Sequence, residues 1–206
     1  MSPVRGALWT VLRRALNFGT LRPPVKSAAG IQPGDRVLDV ACGSGEFSTI
    51  VPPDCVYVGV DLDEANVALA NRWYGSERHQ FLVADVTKQP VEGGPFDVAL
   101  ALSLLHHLDD QQAGDLFSAL ASQVRRRLVV VDLLCVDGNP IQKFLVSMDQ
   151  GHYPRPLWRQ KELIEKYFEI ERGDVFATRS GSATLSLFTC MPRDRLSVNT
   201  SRQRSS

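Results

Sequence analysis

The feature that most constrains this chain is an apolar strand that ends in an acid and then turns through small residues. Residues 36–45 read Arg-Val-Leu-Asp-Val-Ala-Cys-Gly-Ser-Gly, so the acid is Asp39. Ala41, Gly43 and Gly45 follow at alternate positions, where a larger side chain would block the approach of a ligand. A strand and loop of this kind bring the backbone of a parallel-sheet domain close to a bound molecule. The pattern therefore predicts an α/β fold with a ligand site at the loop.

Three later segments extend this prediction. Residues 56–61 and 80–85 are apolar stretches that end in Asp61 and Asp85, and residues 96–102 are a further apolar stretch. Asp61 follows Asp39 by 22 residues, close to the spacing at which an acid binds ribose hydroxyls in nucleotide-binding folds. Because a loop of small residues is a weak signal by itself, the prediction depends on all four segments together.

Together these segments resemble the glycine-rich loop, the ribose acid, the adenine-side acid and the segment after strand 4 of class I S-adenosylmethionine-dependent methyltransferases. The resemblance covers roughly residues 30–190 and implies S-adenosyl-L-methionine as the cofactor. It implies that Asp39 helps to hold the methionine end, that Asp61 accepts from both ribose hydroxyls, and that Asp85 accepts from the adenine amino group. Position 41 is Ala where the family most often has Gly, and we expect binding to survive this small change. The implied cofactor-binding residues are Asp39, Ala41, Gly43, Gly45, Asp61, Leu62, Asp85, Val86 and Leu102.

A nicotinamide-binding Rossmann domain is the main alternative. Its fingerprint has a third glycine where this chain has Ser48, and Asp39 would repel a pyrophosphate by like charge. The same acid is favourable beside a sulfonium ligand that carries an ammonium group, so the loop favours the methyltransferase interpretation. The acids also have plainer explanations: Asp39 as a cap of the loop, Asp61 as the N-cap of the next helix, and Asp85 as a solvated acid.

The rest of the sequence predicts a single α/β domain. Amphipathic and alternating spacing predicts the remaining elements, namely helices at 63–74, 109–125 and 157–167 and strands at 128–134, 168–176 and 183–190. The last two strands flank a hairpin turn at 179–183, so we expect them to pair antiparallel. The resemblance implies the same architecture, a doubly wound, seven-stranded, mostly parallel sheet with the last strand antiparallel.

Both ends of the chain differ from this core. Residues 4–17 are predicted to form an amphipathic helix that stops at Gly19, followed by a rigid extended link at Arg22-Pro-Pro. The helix is either a lid over the cofactor pocket or packed at the sheet edge, and contact with a membrane surface is the less favoured alternative. The predicted division is an N-terminal helix and linker at 1–26, a methyltransferase domain at 27–192 and a disordered tail at 193–206.

Two segments are candidates for contact with a methyl acceptor. His106 and His107 follow the fourth strand at the carboxyl edge, and histidine is the ready acid–base group near neutral pH. The alternative is that one of them braces the loop through a hydrogen bond. Residues 149–156 either bind the substrate or connect two elements and seal the sheet edge. The candidate substrate residues there are Asp149, His152, Tyr153 and Arg155.

Composition limits the classes of function. The 206 residues carry 23 basic and 23 acidic side chains, so no overall charge points to nucleic acid. The four cysteines are widely spaced, with no histidine at ligand spacing, so we predict no metal site and a reducing compartment. No apolar run reaches the roughly 18 residues of a membrane span, and no clear cleavage site follows the N-terminal apolar stretch.

We therefore expect a cytoplasmic enzyme that methylates a small molecule. The alternatives are a protein or RNA methyltransferase, and a partner protein that binds the cofactor without catalysis. The identity of the acceptor and the oligomeric state stay open.

Overall fold

The computed structural model describes residues 19–134, 153–178 and 183–193. Several predicted features lie outside these residues: the helix at 4–17, Asp149 and His152, most of the hairpin turn and the tail. Within the described ranges, no helix is both long enough and apolar enough to cross a membrane.

One sheet forms the centre of the protein. Its strands are β1 Arg36–Val40, β2 Val56–Asp61, β3 His79–Val83, β4 Phe96–Leu102, β5 Val124–Leu133, β6 Phe168–Ala177 and β7 Thr184–Pro192, arranged in the order β3-β2-β1-β4-β5-β7-β6. Strands β1 to β5 pair in parallel, whereas β7 runs antiparallel to both of its neighbours, β5 and β6. This confirms the predicted fold class, including the reversed last strand.

Helices cover both faces of the sheet. Within the described ranges they are α1 Gly19–Ala29, α2 Glu64–Tyr74, α3 Asp110–Gln123 and α4 Leu157–Glu165, with 3₁₀ turns at Glu46–Ile50 and Leu105–His107. Adjacent side chains of a strand point to opposite faces, so Val37 packs in the same cluster as Val25 of α1, and Leu38 packs with Phe117 of α3. Because both faces are buried, the central strands β1, β2 and β4 are mostly apolar.

The predicted extended link at 22–24 is wrong. Helix α1 begins at Gly19 and continues through Pro23 and Pro24. Proline lacks a backbone donor, but its fixed φ is compatible with a helix. Leu21, Val25 and Ala29 recur every four residues and are buried, and this burial outweighs the missing backbone hydrogen bonds. The helix therefore crosses the predicted boundary between residues 26 and 27 and packs against the core.

Three other predicted ends shift by a few residues. The helix predicted to end at Arg125 ends at Gln123, because Val124 already pairs with β4 as the first residue of β5. Its N-cap is Asp109, which forms a capping box with Gln112. Helix α4 ends at Glu165, two residues before the prediction, and β3 ends two residues before Asp85.

Arg155 joins the connection after β4 to the segment that precedes α4. Its guanidinium donates to the carbonyl oxygens of Leu105 and Leu108, each at 2.6 Å, and to the Asp110 carboxylate at 2.8 Å. The Arg155 backbone also bridges to Leu134, just after β5. Arg155 is only 6% exposed, so these contacts replace water inside the protein. The turn at Leu105–His107 and the start of α4 are therefore held together by one side chain.

Replacing Arg155 by Ala should lower the free energy of unfolding by at least about 2 kcal/mol, because each buried polar group left without a partner costs roughly 1–3 kcal/mol. Urea denaturation followed by circular dichroism measures this loss. The matched control is Arg159→Ala, because Arg159 binds the same Asp110 but contacts neither turn carbonyl. Its partners are half-exposed carboxylates, so the control should lose much less. Equal losses would mean that the shared Asp110, and not the carbonyl oxygens, determines the effect.

Candidate functional site

The loop after β1 has a left-handed backbone at its three small residues. Ala41, Gly43 and Gly45 have φ values of +58°, +55° and +80°. A Cβ at Gly45 would lie 2.6 Å from the Phe81 ring, whereas a Cβ at Gly43 would meet no atom within 4 Å. Gly45 is therefore required by packing, and Gly43 borders open space at the carboxyl edge of the sheet. The helix start predicted after the loop is the 3₁₀ turn Glu46–Ile50.

Asp61 fastens this loop to the end of β2. Its carboxylate accepts from the Gly43 backbone N–H at 2.8 Å and from the Asp63 backbone N–H at 2.9 Å. The N-cap of α2 is Asp63, which accepts from the Ala65 and Asn66 backbones. The alternative explanation of Asp61 as a helix cap is therefore wrong. The following Leu62 is 70% exposed beside the same edge.

Asp39 is buried near the end of β1 and accepts a hydrogen bond from Tyr57, which the sequence did not indicate as a site residue. The Tyr57 hydroxyl, on β2, donates to Asp39 Oδ2 at 2.5 Å, and this is the one hydrogen bond of the carboxylate within the described ranges. The alternative that Asp39 caps the loop through backbone N–H groups is therefore wrong. Burial raises the pKa of Asp39 to about 7, with a further rise from the charge of Asp61, while the Tyr57 hydrogen bond opposes this change.

Asp85 lies at the same edge, beyond β3. The backbone N–H of the preceding Ala84 donates to the Asp61 carbonyl, which places Asp85 next to the end of β2. The Asp85 carboxylate accepts from the Thr87 hydroxyl at 2.6 Å and from the Thr87 backbone at 3.0 Å. These bonds, with Lys88 nearby, hold the pKa of Asp85 below its usual value, so the carboxylate is an ionised acceptor. Val86 and Leu102, also predicted at the cofactor site, are both buried.

The connection after β4 carries the two histidines and begins with a strained residue. Ser103 has a φ of +54°, which is uncommon for any residue except glycine. His106 is fully buried, and its Nδ1 lies 2.5 Å from Asp132 Oδ1. His107 is half-buried, with its ring centroid 4.1 Å from that of His106. The pairing of His106 favours the bracing interpretation for that residue and leaves His107 as the more accessible of the two.

Asp132 is visible in the sequence as the one acid of β5, where it follows the apolar run at 128–131. It is 1% exposed, and its Oδ2 is buried without a hydrogen-bond partner among the described residues. A buried acid requires a polar partner nearby, and His106 supplies it.

The described part of the second candidate segment lies against the same turn. The Tyr153 backbone N–H donates to the His106 carbonyl at 3.0 Å, and the Tyr153 side chain is 43% exposed. Each guanidinium nitrogen of Arg155 contacts a protein oxygen. These contacts favour the role of sealing the sheet edge for Arg155, and they leave Tyr153 as the candidate with an exposed side chain.

Two predictions concern cysteine and metal chemistry. Cys42, Cys55 and Cys190 are buried and free, as expected for small apolar residues. Burial raises the pKa of the Cys42 thiol, so this loop residue stays protonated. In the described part of the chain, no group of three or more His, Cys, Asp or Glu side chains is arranged to hold a metal ion.

Comparison with known proteins agrees with this geometry. A family model described as a methyltransferase domain matches residues 37–127. The chain is 37% identical over 92 residues to 27-O-demethylrifamycin SV methyltransferase of Amycolatopsis mediterranei, which covers 40% of this chain and 34% of that protein. It is 28% identical over 120 residues to ribosomal RNA small subunit methyltransferase A of Gloeobacter violaceus, which covers 58% of this chain and 43% of that protein. The chain spans about a third to about half the length of the curated relatives it matches.

Among solved structures, the fold is similar to that of magnesium protoporphyrin IX methyltransferase from Synechocystis PCC 6803 with bound S-adenosylhomocysteine. The TM-score is 0.66 at 23% identity, over 83% of this chain and 81% of that one. Residues 37–127 are therefore similar to a methyltransferase domain, and the described chain has the Rossmann-like fold seen in class I S-adenosylmethionine-dependent methyltransferases.

Proposed function

We propose that this chain is an S-adenosyl-L-methionine-dependent methyltransferase with a small-molecule acceptor. The observation that carries the proposal is the convergence of three acids and the glycine-rich loop at one edge of the sheet. Asp39 and Asp61 lie near the ends of adjacent parallel strands, and Asp85 follows the next strand. Asp61 also binds the loop directly at Gly43. The methyltransferase domain match covers all of these residues and supports the assignment.

The polar groups at this edge fit the cofactor. A carboxylate has about four lone-pair sites, so Asp61 and Asp85 can accept further hydrogen bonds from ribose hydroxyls and from the adenine amino group. The backbone N–H of Val86 is the proposed donor to the adenine ring. Asp39 is the proposed partner of the ammonium group, because a buried carboxylate is stabilised by a cation. The small residues of the loop leave the room that the cofactor needs.

In this proposal the cofactor supplies the reactive group, and the protein contributes binding and proton transfer. When bound, the cofactor supplies an electrophilic methyl group whose leaving group is a neutral thioether. The residues of this chain bind and align the reactants, exclude water and accept a proton where the nucleophile carries one. His107 is better suited than His106 to accept that proton, because His106 is fully buried and bound to Asp132.

A small-molecule acceptor is favoured by charge and by one of the relatives. The chain has equal numbers of basic and acidic residues, whereas proteins that bind nucleic acid usually carry a basic surface. The relative from Amycolatopsis is named for a small-molecule substrate. RNA is the second candidate acceptor, because the relative from Gloeobacter is a ribosomal RNA methyltransferase. Incubation with labelled cofactor and either metabolite extract or total RNA distinguishes the two, and we expect the label in the metabolites.

Isothermal titration calorimetry with S-adenosylhomocysteine should show one site per chain, because the four segments form a single adenosine and amino-acid site. NADH should neither bind nor compete, since Asp39 repels a pyrophosphate. Tight binding of NADH with no heat from S-adenosylhomocysteine would contradict the proposed function.

Asp61→Ala should weaken S-adenosylhomocysteine binding by about 1.5–3 kcal/mol, the range for hydrogen bonds to a charged group. The matched control is Asp63→Ala, which removes the N-cap of α2. The control should lower the free energy of unfolding by roughly 0.5–2 kcal/mol and leave affinity unchanged. A loss of stability without a loss of affinity in Asp61→Ala would mean that this acid only fastens the loop.

His107→Ala should leave S-adenosylhomocysteine affinity within roughly 1 kcal/mol, because His107 makes no cofactor bond in this proposal. Turnover of the acceptor found in the metabolite screen should fall by about 10²–10⁴-fold if His107 is the base. Recovery of the rate at higher pH would identify a base, and a loss independent of pH would identify a positional role. Normal turnover at every pH would place the acceptor elsewhere.

A further inference from the structure

The hydroxyl group of Tyr57 is fixed inside the protein by its neighbours on β3. The Tyr57 ring is fully buried, with its centroid 5.4 Å from that of Phe81 and 5.5 Å from that of His79. In the parallel register, Val37 of β1 lies opposite Tyr57, and Asp39 is two residues further along, on the same face of the sheet. The hydroxyl therefore donates to Asp39 Oδ2 at 2.5 Å.

The other oxygen of Asp39 is left without a protein donor. The bond from Tyr57 is the only hydrogen bond of this carboxylate among the described residues, although the residue is 1% exposed. An ionised carboxylate with a single hydrogen bond is costly in such a site. A cation placed at Oδ1 would remove that cost, and the ammonium group of the proposed cofactor is such a cation.

We propose that Tyr57 is a positioning residue of the cofactor site, which holds Asp39 through Oδ2 so that Oδ1 receives the ammonium group and cofactor affinity depends on pH near neutrality. The proposal rests on the proposed function and adds to it a residue and a pH dependence. It differs from a purely structural role of Tyr57, because a structural role would affect all ligands of the site at every pH.

Few other titratable groups face this pair within the described ranges. From β3, His79 lies against the Tyr57 ring, and burial lowers the pKa of His79 below its usual value, so its neutral form is favoured near neutrality. From β2, both Tyr57 and Asp61 act on Asp39, and from the loop the thiol of Cys42 is close to Asp39 and to Tyr57. From β4, the register neighbour of Asp39 is Leu100, which carries no charge. Helix α1 contributes only apolar side chains to this cluster, namely Leu21, Val25 and Ala29. The pH dependence is therefore assigned to Asp39 itself.

The direction of the effect follows from the two states of Asp39. Burial keeps the free carboxyl protonated below a pKa of about 7, whereas the cation requires the ionised form. Below that pH, binding must release a proton, so affinity falls as pH falls. The hydrogen bond from Tyr57 stabilises the ionised form, so its removal shifts the loss of affinity to higher pH.

The test measures dissociation constants for two probes, S-adenosylhomocysteine and 5′-methylthioadenosine, between about pH 6 and pH 8. The second probe has the adenosine and the thioether but no ammonium group. In the wild-type protein, S-adenosylhomocysteine should bind about tenfold more weakly at the lower pH, the loss expected for release of one proton. The affinity of 5′-methylthioadenosine should not change with pH.

Tyr57→Phe should weaken S-adenosylhomocysteine binding several-fold near pH 7, with a smaller loss at higher pH, and leave 5′-methylthioadenosine unaffected. Asp39→Asn keeps the shape of the acid and removes its charge, so it should abolish the pH dependence even if Tyr57→Phe folds poorly. Identical pH profiles for wild type and Tyr57→Phe, or equal losses for both probes, would overturn the inference while leaving the proposed function intact. Absence of wild-type binding for both probes would overturn both.

Discussion

The parallel pairing of β1 with β2 on one side and β4 on the other is the constraint on which the candidate site depends. Parallel strands all end at the same edge of a sheet, and the ligand sites of open α/β sheets lie outside those ends. The glycine-rich loop, the three acids and the histidine turn are far apart in the chain, but each follows or ends one of strands β1 to β4. Without this pairing they would share no surface.

The second constraint is electrostatic. Asp39, Asp61 and Asp85 place three carboxyl groups at one edge of the sheet. Their negative charges repel one another unless hydrogen-bond donors or cations stabilise them. The Gly43 N–H donates a hydrogen bond to Asp61. Thr87 donates a hydrogen bond to Asp85, and Lys88 forms a salt bridge with it. Only Asp39 retains an oxygen without a donor in the described ranges, and its charge is the one suppressed near neutrality. This difference among the three acids is what makes a cationic ligand the best match for the site.

Much of this arrangement could be predicted from the sequence, because it is encoded locally. The apolar strands and the acids at their ends are visible as contiguous patterns, and they gave the correct fold class. The role of Tyr57 was not visible, because it depends on Asp39 in another strand. Asp132 stands out as an acid in an apolar stretch, but its partner His106 could not be identified because it lies in the turn after β4. Residues 22–24 of helix α1 were predicted as an extended link for a related reason. Its prolines are a local signal against a helix, and the burial of Leu21, Val25 and Ala29 that outweighs it is a property of the folded protein.

A crystal structure of the chain with S-adenosylhomocysteine tests the central claim most directly. The account predicts the ammonium group within hydrogen-bonding distance of Asp39 Oδ1, the ribose hydroxyls on Asp61 and the adenine amino group on Asp85, with the Tyr57 bond to Asp39 retained. An adenosine bound away from the ends of β1 and β2, or an ammonium group with no contact to Asp39, would contradict it.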